Sequence, residues 1–115
     1  MKPACEYVSK EVLPAVRAIM AKRMMSDHNL TQTQVAAIMN TTQPAISQYK
    51  RELRGRRIRS LKDDPEVISM IGEIVRRLVT GSLAREEAGR EFCSLCRLMQ
   101  SRGIIPEEYR CYAEG

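Results

Sequence analysis

A chain of 115 residues is one ordinary domain, or one domain with an appendage, and can hold a single small core. Apolar residues make up 43% and charged residues 29%, which excludes intrinsic disorder; aromatics are only 4% and Trp is absent, so the core must be aliphatic, which suits helices better than a sheet. The formal charge of +5 agrees with a polyanionic partner, and no apolar run approaches a membrane span.

Glu6, Lys10, Glu11 and Arg17 interrupt any apolar stretch of signal-peptide type, so a cytoplasmic protein without membrane association is expected. Five helical segments and no convincing strand can be read, which predicts an all-α class. The first runs roughly from Val8 to Ser26, with Leu13, Val16, Ile19 and Met20 at helical spacing. Pro14 belongs in a first turn, so the regular part begins near Leu13. His28, the only histidine, reads as a partner of the helix C-terminus in preference to a ligand. Thr31 with Gln34 three residues on is a capping-box pattern and opens a short helix, about Gln32 to Met39. Asn40 suits the left-handed conformation that ends a helix sharply. Thr42 caps the next helix, with Pro44 in its first turn; the helix runs to about Leu53, and Gly55 ends the segment.

Residues 54–62 read as a basic hinge, which divides the chain into a DNA-binding domain (1–60) and a helical region for dimerisation and cysteine chemistry (61–115). Asp63, Asp64 and Pro65 open a fourth helix, their charge favoured at its N-terminus, and Gly81 stops it. A fifth helix runs from about Leu83 to Arg102 with Gly103 as its cap, and Pro106 starts at most one turn in the tail.

Two short capped helices joined by a turn of three to four residues form a helix-turn-helix pattern. Ala36 is the small residue needed where the helices cross, and Asn40 supplies the turn. Ile46, Tyr49 and Leu53 share one side of the second helix. Gln43, Pro44, Ser47, Gln48 and Arg51 share the other, a face suited to reading base edges, since Gln pairs with adenine and Ser with a donor or an acceptor. Lys50, Arg51, Arg54, Arg56, Arg57 and Arg59 follow, placed to neutralise phosphates of double-stranded DNA. The plainer alternative is a helical hairpin with a solvated basic end.

The stretch LTQTQVAAIMNTTQPAISQY, residues 30–49, resembles the helix-turn-helix of the lambda-repressor-like (Xre) family. The likeness extends loosely over residues 1–59. The whole chain, with its later Cys-x-x-Cys, is similar to a group of small archaeal Xre-type regulators. The resemblance implies a lambda-repressor-like bundle in which Gln32 contacts a phosphate and braces Gln43, which reads a base beside Pro44, Ser47 and Gln48. The candidate DNA-contacting set is Gln32, Thr42, Gln43, Pro44, Ser47, Gln48, Lys50, Arg51, Arg54, Arg56 and Arg57. Two departures stand out: Asn40 replaces the usual turn glycine, and Pro44 replaces a residue that often makes a polar contact.

In the fourth helix, positions 67, 71, 74 and 78 form one apolar row and 68, 71, 75 and 79 another. This width either packs under the first and fifth helices or forms a two-fold interface, to which Ile58 and Leu61 would contribute. Proteins of this kind bind two half-sites about one DNA turn apart, so a homodimer is expected.

Cys93 and Cys96, three apart on a helix, place their Cβ atoms about 5–6 Å from one another on one face. With Cys5 and Cys111 they make four thiolates, the set for an iron–sulfur cluster, the favoured reading, or for tetrahedral zinc. The alternatives are a small apolar core role for Cys96 beside Phe92 and Met99, or a redox disulfide within the pair. No nucleophile–base pair, glycine-rich phosphate loop or catalytic carboxylate pair is present, so the chain is not expected to be an enzyme. The functional expectation is a dimeric, sequence-specific transcriptional regulator. Its rivals are a thiol–disulfide enzyme using Cys93 and an antitoxin-like or adaptor module that binds protein.

Overall fold

The computed structural model describes residues 2–3, 12–52, 56–83, 85–104 and 109–110. Along the chain they form β1 (Lys2–Pro3), α1 (Leu13–Asp27), α2 (Gln32–Ile38), α3 (Gln43–Glu52), α4 (Arg56–Lys62), α5 (Pro65–Thr80), α6 (Arg85–Ser101) and β2 (Tyr109–Arg110). The class is all-helical apart from β1 and β2, which pair in parallel with Lys2 opposite Tyr109 and Pro3 opposite Arg110. Two residues are too few to show the alternation that marks a strand, so the pair leaves no trace in the sequence pattern.

Helix α1 organises the rest. Pro14 lies in its first turn, where no N–H is needed. Ala15, Val16, Ala18, Ile19, Met20, Ala21 and Met24 are all buried, so the helix is covered over most of its circumference. A helix apolar on nearly every side belongs at the centre, and α1 packs against α2, α3, α4 and α5. His28 is its C-cap residue.

The capping box of α2 is formed at both ends. Thr31 Oγ1 accepts from the Gln34 N–H at 3.1 Å, and Gln34 Oε1 accepts from the Thr31 N–H at 2.8 Å. Asn29 and Asn40 hold positive φ of 54° and 55°, so asparagine makes both tight turns that flank α2. The Thr41 N–H then donates to the Ala36 carbonyl at 2.9 Å and closes the second turn.

The basic segment expected to be a hinge is instead a helix, α4. Ile58 and Leu61 are 2% and 0% exposed and pack toward α1 and α5. Three residues apart, they share one face, and burying each stabilises the fold by about 1.5–3 kcal/mol relative to leaving it exposed. That burial orders a stretch whose charge alone reads as a linker. It also removes both residues from any surface between copies of the chain. Gly55 lies outside the described residues.

Helix α5 starts where Asp64 Oδ1 accepts from the N–H groups of Glu66 and Val67 at 3.1 and 3.3 Å, and it ends at Gly81 with φ +76°. Val67, Ile71, Ile74 and Val75 are buried, while Ile68, Met70, Leu78 and Val79 are only partly covered. A Cβ on Gly72 would lie 3.2 Å from Arg23 Nη1, so this glycine lets the α1 side chain lie close on α5. The expected start of the last helix at Leu83 is two residues early. Leu83 is buried in the turn, and α6 begins at Arg85. Gly103, at φ +77°, follows its end, and the Ile104 N–H returns to the Met99 carbonyl at 3.0 Å. One buried cluster draws residues from all six helices, on both sides of residue 60.

Candidate nucleic-acid interface

Helices α2 and α3 meet where Val35 and Ala36 are 0% and 5% exposed and Ile46 is 1% exposed. The small side chain of Ala36 permits this close crossing. Tyr49 is partly buried against the same core. Thr42 Oγ1 accepts from the Ala45 N–H at 3.3 Å and its carbonyl accepts from the Ile46 N–H at 3.2 Å, which sets the start of α3. Thr42, Gln43, Pro44, Ser47 and Gln48 are all exposed, and Gln32 is half-buried.

One side-chain bond ties the two helices at their exposed edge. Gln43 Nε2 donates to Gln32 Oε1 at 2.5 Å. The direction of this bond decides what remains available. Gln43 keeps one amide N–H and its Oε1, the donor and acceptor that a bidentate contact with adenine N7 and N6 requires. Gln32 keeps both amide hydrogens, which can be donated to a phosphate oxygen. The bond also holds both side chains in place before any ligand arrives.

The electrostatics of this region are simple. From Asn29 to Tyr49 the chain carries no charged residue. From Lys50 to Lys62 it carries seven cations and only Glu52 in opposition, more than the net charge of the whole chain. Arg59 and Lys62 are exposed. Arg54 and the side chains of Lys50, Arg51, Arg56 and Arg57 lie outside the described residues. Ion pairs among the described residues occur elsewhere, within α1 and around α5 and α6.

Helix α6 runs through both cysteines of the Cys-x-x-Cys. Cys93 is exposed, whereas Cys96 is 9% exposed and joins Leu95 and Met99 in the core. The pair therefore straddles the edge of the buried face, and only one thiol is open to solvent. Cys5 and Cys111 lie outside the described residues, although β1 and β2 join the stretches that precede them in sequence. Among the described residues, no three His, Cys, Asp or Glu side chains are grouped to hold a metal ion. No helix among them is long and apolar enough to cross a membrane.

Besides the β1–β2 pair, the sequence reading missed a groove of about 420 Å³ lined by Ile19, Lys22, Arg23, Ser26, Asp27, Lys62 and Ile68. Its walls come from α1, α4 and α5, so no local spacing could have signalled it. Comparison with known proteins finds no match for the chain among protein-family models, curated proteins or solved structures.

Proposed function

We propose that this chain is a sequence-specific, double-stranded DNA-binding transcriptional regulator that works as a homodimer, with no enzymatic activity of its own. In this reading α2 and α3 are a helix-turn-helix of the lambda-repressor-like type, and the recognition helix is α3. The observation that carries the reading is the Gln32–Gln43 bond at the exposed edge of an uncharged face, followed directly by the cation-rich stretch. Gln43, Ser47 and Gln48 read base edges. Lys50, Arg51, Arg54, Arg56 and Arg57 bind phosphates. Residues 61–115 supply the second copy's interface, for which the partly covered Ile68, Leu78 and Val79 of α5 remain available.

The cysteine chemistry belongs to the same proposal. The exposed Cys93 and the core-edge Cys96, on successive turns of α6, fit half of a four-thiolate set. Cys5 and Cys111 would supply the rest. An iron–sulfur cluster held there would make DNA binding respond to redox state or iron, and zinc would act only as a staple.

The decisive experiment is selection of bound duplexes from a random DNA pool, followed by binding of the enriched site across a salt series. A strong, salt-dependent preference is expected. Gln43→Ala should lose about 1–3 kcal/mol of discrimination at one base pair while keeping nonspecific affinity. An unselective outcome, or site preference unchanged in Gln43→Ala, would overturn the recognition assignment. Iron and acid-labile sulfide assays on anaerobically purified protein separate cluster from zinc.

A further inference from the structure

Among the described residues on the outward face of α3, Pro44 is the one whose side chain cannot form a hydrogen bond. It is exposed, and it stands among exposed Thr42, Gln43, Ser47 and Gln48. Ser47 and Gln48 lie three and four residues on, so they flank the pyrrolidine ring on the helix surface. A phosphate role for this turn is poorly served. Helix N-termini bind phosphate through spare N–H groups, but Pro44 has none and the Ala45 N–H already donates to Thr42 Oγ1. What Pro44 offers is apolar surface, held beside an amide that the Gln32 bond has oriented.

The major groove of DNA presents one apolar group, the C5-methyl of thymine. We infer that Pro44 is a specificity-determining residue that packs on a thymine methyl in or next to the A·T pair read by Gln43. The inference rests on the DNA-binding reading above and adds to it a preference that hydrogen bonding alone cannot express. An apolar ring loses no polar contact when it covers a methyl, and a cytosine at that place, with only a hydrogen on C5, offers it nothing to cover.

The test uses the full-length protein and the duplex enriched by selection. Each thymine is replaced in turn by deoxyuridine, which removes the methyl and nothing else. At one position the substitution should weaken binding about 3- to 5-fold, the worth of one buried methyl-sized group. In Pro44→Ser, which puts a small polar group there, the same substitution should cost less than about 1.5-fold, and Pro44→Val should restore the penalty. Circular dichroism checks that both variants keep their helix content.

If every deoxyuridine is neutral, no methyl contact exists; if the penalty persists in Pro44→Ser, another group makes that contact; in either case Pro44 serves only to start the helix. In that case the selected site and its Gln43 dependence would still stand. A random pool that yields no preferred sequence would overturn both this inference and the DNA-binding reading beneath it.

Discussion

Helices α3 and α5 both begin on a side-chain cap and both bury one face, yet their outer faces are built on different principles. From Thr42 to Gln48 the outer face of α3 is uncharged, and its exposed amides and hydroxyl come just before the chain's main concentration of cations in the sequence. The outer face of α5 is charged but neutralised locally. Arg76 pairs with Glu73, Arg77 reaches Glu87 and Glu91 on α6 at 3.6 and 3.3 Å, and Arg102 reaches back to Asp64 and Glu66 at 3.4 and 2.8 Å. Charges matched at these distances have little net attraction left for a distant polyanion. The difference teaches where a binding face is to be sought: where polar groups are oriented and unmatched, and not where charge is densest on a helix.

Four substitutions sharpen or break this comparison. The largest effect belongs to the core that both faces rest on. Leu61→Ala, at a fully buried α4 position, should cost about 2–5 kcal/mol in urea unfolding, against less than about 0.5 kcal/mol for Ser47→Ala on the open face of α3. A Leu61→Ala protein of unchanged stability would return α4 to the status of a linker. Next come the caps. Thr31→Ala should lower stability by about 0.5–2 kcal/mol by removing the capping box of α2. On the proposed function, it should also weaken DNA binding more than a cap lost at α5, because it loosens the helix that carries Gln32.

The smallest effect is at the surface of α5. The hydrogen bond from Arg76 holds the Glu73 carboxyl below its usual 4.5, with charge attraction to Arg76 and Arg77 adding to it. A lowered folded-state value stabilises the protein above the unfolded value and ceases to do so as pH falls through the folded one. Parent and Glu73→Gln should therefore differ only slightly near neutral pH, with the parent ahead, and should converge in acid. Because the pair is fully exposed, added salt should erase the difference as well. A gap that survives both acid and salt would mean that Glu73 does more than neutralise Arg76.

Much of the helix-start and turn chemistry was legible in the chain because it is local. Thr31 with Gln34, Asn40, Thr42 before Pro44, Asp64 before Pro65, Gly81 and Gly103 each act within four or five residues. The backbone need they satisfy is therefore written beside them. The partition of α3 into a buried Ile46 side and an exposed Gln43–Ser47 side was legible for the same reason, since helical periodicity repeats within one turn.

What local pattern misjudged was decided by contacts between distant segments. Ile58 and Leu61 look like stray apolar residues in a basic linker until α1 and α5 close over them. Cys93 and Cys96 share a spacing, yet the packing of Leu95 and Met99 draws only Cys96 inward. The β1–β2 pair depends on the two ends meeting across the fold.

The sequence by itself thus determined the helical class, the caps and turns, and which residues could face a ligand, because these follow from backbone hydrogen bonding and periodicity over a few residues. Only the tertiary structure decided that the basic segment is a helix, and only there does the bond between Gln43 and Gln32, eleven residues apart and implied by the resemblance alone, take shape. Burial and side-chain pairing at such separations depend on how the helices cross, and no local spacing encodes that.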